Sequence, residues 1–88
     1  MKSKTTREFR KAFARLPRRI QTEARDAFKV FLEDPQHPSL RFKRVHSTRP
    51  IFSVRITIDY RALGVRDEDT IIWFWIGGHE DYDKLLSK

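Results

Sequence analysis

Two hydrophobic spacings follow one another along the chain. In the first third, apolar side chains recur three and four positions apart, the period of a helix with one buried face. Phe9, Ala12, Phe13 and Leu16 predict a short amphipathic helix ending near Leu16. Thr5-Thr6-Arg7-Glu8 just before it has the form of a capping box. Pro17 suits the first turn of a helix and not its interior, so a second helix is expected to start there. Ile20, Ala24, Ala27, Phe28, Phe31 and Leu32 give that helix its apolar stripe, which stops at Asp34-Pro35. The link is so short that the two helices must pack as a hairpin or an angled pair.

Beyond the proline-rich loop 34–39 the period shortens to two. Leu40 to Val45 alternates apolar and basic residues and predicts a strand with one charged face. Ile51 to Tyr60 is the clearest strand pattern: Phe52, Val54, Ile56, Ile58 and Tyr60 on one face, Ser53, Arg55, Thr57 and Asp59 on the other. Gly64 to Asp69 reads as a polar turn. Thr70 to Ile76 is apolar on both faces, which predicts a central or covered strand. Trp73 and Trp75 alternate, so both are expected on one face, as core or as stacking surfaces for bases. Glu80 to Ser87 predicts a short closing helix with Tyr82, Leu85 and Leu86 on one side. The basic segment at residues 1–6 is either a first edge strand or a loose end.

These elements make an α+β fold. An N-terminal helical pair packs on one face of a small antiparallel sheet, and a short C-terminal helix closes the chain. The opposite face would then gather Arg41, Lys43, Ser53, Arg55 and Thr57, because a strand sends alternate side chains to one side.

Composition narrows the chemistry. Eighty-eight residues suit one domain, 1–88, held by apolar packing, since there is no cysteine to form a disulfide or a Cys-ligated zinc site. The absence of cysteine fits a reducing cytoplasm. No apolar run is long enough for a signal or a membrane span. Nineteen Lys and Arg against twelve Asp and Glu leave a net charge of +7, which favours a polyanionic partner. His37, His46 and His79 have no metal-ligand spacing, so no metal or other cofactor is expected. Arg7, Arg10, Lys11, Arg15, Arg18 and Arg19 give the helical pair a basic side, read as solvated surface or as a grip on RNA phosphates.

The segments HPSLRFKRV (37–45), FSVRITIDYRALG (52–64) and IIWFWIGGHEDYDKLL (71–86) resemble the RelE/ParE toxin superfamily of bacterial toxin–antitoxin systems. With the helical pair, the resemblance spans nearly the whole chain. It implies a small basic toxin with an acidic antitoxin partner. In the RelE-like branch it also implies a ribosome-dependent messenger-RNA endoribonuclease, in which a ribose 2′-hydroxyl attacks the adjacent phosphate without a cofactor. Such a site needs a base, an acid and cations on the developing phosphorane. Position by position, the resemblance assigns catalytic roles to Lys43, Arg55, His79 and Tyr82, with Arg41 and Arg61 on the nucleic acid. Arg44 and His46 flank that strand and join the candidate RNA contacts. No glutamate lies between Pro35 and Arg66, so the glutamate base that some members carry on the second strand has no counterpart there. The alternative is a protein without nuclease chemistry, either a gyrase inhibitor of the ParE kind or an inactive antitoxin-binding relative.

Overall fold

The computed structural model describes residues 1–86; the expected helix reached Ser87, which lies outside the described residues. Nine elements follow in order. They are β1 (Lys2–Thr5), α1 (Arg7–Ala14), α2 (Arg18–Glu33), a 3-10 turn (Pro38–Leu40), β2 (Lys43–Arg44), β3 (Ile51–Arg55), β4 (Tyr60–Asp67), β5 (Thr70–Gly78) and α3 (His79–Leu86). The sheet has five strands in the order β1-β5-β4-β3-β2. All neighbours are antiparallel except β1, which runs parallel to β5. The expected α+β layers are present, and the N-terminal segment is an edge strand. No helix among the described residues is long and apolar enough to cross a membrane.

The helix starts differ from the capping-box expectation. Thr5 is committed to β1, opposite Trp73, so the cap passes to Thr6, whose Oγ1 accepts the Phe9 N–H at 3.1 Å. Glu8 is then one position short of the place from which a box glutamate reaches back. At the other end of α1, the Gln21 amide donates to the carbonyls of Phe13 (3.1 Å) and Leu16 (3.2 Å). It thereby satisfies acceptors that a helix C-terminus leaves free. Pro17 is the N-cap of α2. Ile20, Ala24 and Phe31 are buried, but Leu32, one residue round the helix from Phe31, is 56% exposed.

α1 and α2 cover one face of the sheet. Trp73 lies at its centre, with ring centroids 5.2 Å from Phe28 and 5.3 Å from Phe31, and its indole N–H donates to Ser3 Oγ at 2.8 Å. Phe31, Phe42 and Phe52 continue the aromatic row at 5.0 Å spacings. Val54, Ala62, Ile71 and Ile76 complete the buried layer.

The strands depart from expectation in four places. Leu40 to Val45 is not one strand. His37 caps a 3-10 turn by accepting the Ser39 N–H, Leu40 is driven into the core, and Arg41 takes the left-handed φ of 46°. Only Lys43 and Arg44 pair with β3. The ten-residue strand 51–60 is instead the first arm of a hairpin and its turn. Thr57 Oγ1 accepts the Asp59 N–H, the Ile56 and Thr57 N–H groups donate to the Tyr60 carbonyl, and Ile58 sits at the tip, 72% exposed. The polar turn expected at 64–69 shrinks to Glu68-Asp69, because Gly64 to Asp67 belong to β4.

The last departure repositions a candidate residue. The β4–β5 register slips between Leu63 and Gly64, so Gly64 faces Trp73 while Leu63 faces Trp75. This bulge inserts Phe74 as an extra residue and breaks the alternation. Trp73 enters the helix-covered core, whereas Trp75 turns to the opposite face and meets Tyr82 of α3, with ring centroids 6.3 Å apart. The two tryptophans do not share a face.

Candidate nucleic-acid interface

Residues paired across a sheet share a face, so the register builds the surface opposite α1 and α2. One row runs Lys43, Ser53, Leu63, Trp75. The next runs Arg55, Arg61, Gly77. Arg55 and Arg61 are thus direct cross-strand neighbours, two cations side by side. Tyr82, 7% exposed, reaches down from α3, and the Arg61 guanidinium lies 5.4 Å from its ring centroid. Gly77 makes room for this packing: a Cβ there would come within 2.6 Å of the Trp75 ring. Among the described residues no carboxylate lies within 4.0 Å of Arg55 or Arg61. The ion pairs with Asp59, Asp81 or Asp83 that would have made Arg55 structural are therefore not formed.

The face is not uniformly basic, as the sequence had suggested. Ser53 is fully buried, with no partner for its hydroxyl among the described residues. On the side of the Lys43 row away from the arginines, a further row runs Lys4, Ile72, Val65, Ile51. Ile51, Val65 and Phe74, with Arg49 and Pro50, line an open apolar cavity of about 500 Å³. The surface is basic at one end and apolar at the other.

The remaining sequence-derived candidates lie outside the arginine pair. His79 opens α3, its N–H donating to the Asp59 carbonyl. Its Nε2 is 3.2 Å from the Asp83 carboxylate, one helical turn on. A cavity of about 390 Å³ at this end is lined by Asp59, Tyr60, Gly78, His79, Glu80 and Asp81, so His79 shares it with three acidic residues. His46 Nδ1 accepts the N–H groups of Thr48 and Arg49, which makes it the fold of its loop. Arg44 pairs with Phe52, which puts it on the helix side of the sheet, and donates to the His46 and Arg49 carbonyls. Arg41 is exposed on the turn before β2, off the strand face. Among the described residues no three His, Cys, Asp or Glu converge as a metal site.

One group escaped the sequence reading. Glu23 of α2 has a buried carboxylate oxygen with no hydrogen-bond partner among the described residues. With Asp26, Ser39, Leu40 and Ile56 it lines a groove that Arg55 also borders. Helical spacing alone puts Glu23 beside the apolar stripe; only the sheet edge opposite it makes a groove.

Similarity to known proteins agrees with this architecture. No curated protein sequence is significantly similar to the chain. The fold is shared with a chain of the RelB–RelE antitoxin–toxin complex of Methanococcus jannaschii (TM-score 0.76, 14% identity, 93% of this chain and 96% of that one). It is also shared with the toxin–antitoxin complex RelBE2 of Mycobacterium tuberculosis (0.71, 22%, 89% and 96%). A third match is YafQ of E. coli (0.73, 8%, 91% and 94%). The family model described as a ParE-like toxin domain matches residues 18–84, and the chain belongs to that family of the RelE/ParE toxin superfamily.

Proposed function

We propose that the protein is the toxin of a toxin–antitoxin pair and cleaves messenger RNA on the ribosome. The observation that supports this most is the Arg55–Arg61 pair, with Arg61 beside Tyr82 and, among the described residues, no carboxylate within 4.0 Å of either guanidinium. Two adjacent guanidiniums suit a phosphate that gains charge as it becomes five-coordinate. In the proposed reaction a ribose 2′-oxygen bonds to the neighbouring phosphorus as the bond to the 5′-oxygen breaks. A base takes the 2′-hydroxyl proton and an acid protonates the leaving oxygen. Arg55 and Arg61 stabilise the phosphorane, Lys43 holds a flanking phosphate from the adjoining row, and Tyr82 orients Arg61. His79 is the proton donor, swinging from Asp83 when RNA is bound.

The test is inducible expression of the wild-type chain, Arg55→Ala and His79→Ala, with new 5′ ends mapped on cellular messenger RNA. Cleavage by the wild type, lost in both folded variants, is the expected result. Full cleavage by either variant would remove that residue from the mechanism.

His79 among carboxylates favours a second reading, a protein that binds without nuclease chemistry, on gyrase or on an antitoxin alone. Intact messenger RNA with a DNA-damage response would select gyrase inhibition. For the antitoxin we propose an acidic segment seated on the open apolar rows Ile51, Val65, Ile72 and Phe74. Lys4 and Arg49 flank this surface and suit its charge. Val65→Asp should abolish co-purification with such a partner while leaving the toxin folded.

A further inference from the structure

The proposed cleavage needs an acceptor for the 2′-hydroxyl proton, and a guanidinium has no acceptor to offer. Glu23 has one to spare. One of its carboxylate oxygens is buried without a hydrogen-bond partner among the described residues, a state that buried polar atoms rarely keep unless a further group supplies the donor. No Lys, Arg or His nitrogen among the described residues lies within 4.0 Å of this carboxylate, so no ion pair occupies it. Ile20, Ala24 and Ala27 of α2 turn to the sheet, and Glu23 stands at the margin of their stripe. The groove it lines holds about 260 Å³, with Ala27, Val30, Leu40 and Ile56 as its apolar walls and Arg55 at its border. β2 pairs with β3 only at Phe52 and Ser53. Past Ser53 that edge of β3 has no strand beside it, and the groove there brings α2 and Arg55 to one opening.

We infer that Glu23 is the general base of the cleavage and that its groove takes the ribose on the 5′ side of the cut. The inference rests on the proposed nuclease reading. A phosphate on the Arg55–Arg61 pair puts the adjoining ribose at the mouth of the groove, its carbons against Leu40 and Ile56 and its 2′-hydroxyl toward Glu23. The unpartnered carboxylate oxygen takes the hydroxyl proton as the 2′-oxygen bonds to phosphorus. The bond from phosphorus to the 5′-oxygen breaks, and His79 protonates that oxygen. The products are a 2′,3′-cyclic phosphate and a 5′-hydroxyl end, with Glu23 protonated and His79 neutral. The charged groups that line the groove with Glu23 are Asp26 of its own helix and Arg55 of β3; Ser39 of the 3-10 turn is neutral.

The experiment is single-turnover cleavage of a ribosome-bound message across a pH series, by the wild type, Glu23→Gln, Glu23→Asp and Glu33→Gln. Glu33 is exposed at the far end of α2 and controls for the loss of one negative charge. A carboxylate base works only when ionised, so the wild-type rate should fall toward acid pH. Glu23→Gln should cleave at least about 100-fold more slowly and lose that acidic limb. Its binding of a message with a 2′-O-methyl group at the cleaved nucleotide should match the wild type. Glu23→Asp keeps a carboxylate one methylene shorter and should restore the limb and part of the rate, while Glu33→Gln should cleave as the wild type does. Glu23→Gln cleaving at the wild-type rate, or more slowly with the acidic limb intact, would overturn the inference and leave the nuclease assignment standing. So would a Glu23→Asp variant with no recovery of either. A wild-type chain that leaves the message whole would overturn both.

Discussion

The guanidinium of Arg61 lies 5.4 Å from the ring centroid of Tyr82, and the same ring lies 6.3 Å from Trp75. One aromatic side chain therefore ties α3 to the sheet and sets the position of a cation. The two roles are separable. Tyr82→Phe keeps the ring and should leave stability within about 0.5 kcal/mol of wild type. Tyr82→Ala removes a buried aromatic and should cost about 3 kcal/mol or more. Urea unfolding followed by tryptophan fluorescence distinguishes the two. RNA cleavage retained in Tyr82→Phe would show that the ring, not the hydroxyl, serves Arg61.

Arg55 and Arg61 should not be replaceable by lysine. A lysine keeps the charge but loses the planar fork that can meet two phosphate oxygens at once. Arg55→Ala and Arg61→Ala should each lower cleavage by about 100-fold, in line with removal of one preorganised donor to developing charge. Arg→Lys at either position should recover only part of that. Single-turnover cleavage of a ribosome-bound message provides the comparison, and full recovery by lysine would argue for charge alone.

Gly64 is required by the bulge. A Cβ there would stand 2.8 Å from Trp73 Cε3, 2.9 Å from Ile71 Cγ1 and 3.2 Å from the Ile72 carbonyl. Both side chains are buried, so neither can withdraw without disturbing the core. Gly64→Ala should destabilise by about 1–3 kcal/mol, the usual range for overpacking. A change in the near-ultraviolet circular dichroism of Trp73 should accompany it. A variant as stable as wild type would mean that the β4–β5 register can slide.

Glu68 turns the β4–β5 hairpin at a φ of 55°, where a Cβ is crowded and only glycine is free of strain. Glu68→Gly should stabilise the fold by about 0.5–1 kcal/mol, the relief of strain exceeding the extra entropy that glycine has in the unfolded chain. Thermal unfolding reads this directly, and destabilisation would show that the Glu68 side chain makes a contribution beyond its backbone.

Ser53 places a hydroxyl in full burial without a hydrogen bond to any described residue. Ser53→Ala removes that unsatisfied group at almost constant shape and should be neutral or stabilising, by up to about 1 kcal/mol. A loss of more than that in chemical denaturation would reveal a partner for the hydroxyl.

The sequence by itself determined what depends on local spacing. The helical stripe from Ile20 to Phe31, the proline boundaries at Pro17 and Pro35, and the apolar β5 segment needed no partner to be recognised, because period and backbone chemistry are carried by neighbouring residues. Arg55, Arg61 and Tyr82 were legible as candidates. Their assembly was not, since it depends on which strand positions lie opposite one another. The alternation from Phe52 to Tyr60 reads as one strand whether or not it turns back at Thr57, and a hairpin preserves the same period in both arms. The opposite fates of Trp73 and Trp75 follow from one extra residue in β5 across from Leu63 and Gly64. A register slip of one residue exchanges faces. It leaves no trace in a single strand's pattern, because the pairing that produces it is made with a different part of the chain. Tertiary structure likewise set His79 beside Asp83, one helical turn on, at the acidic start of α3.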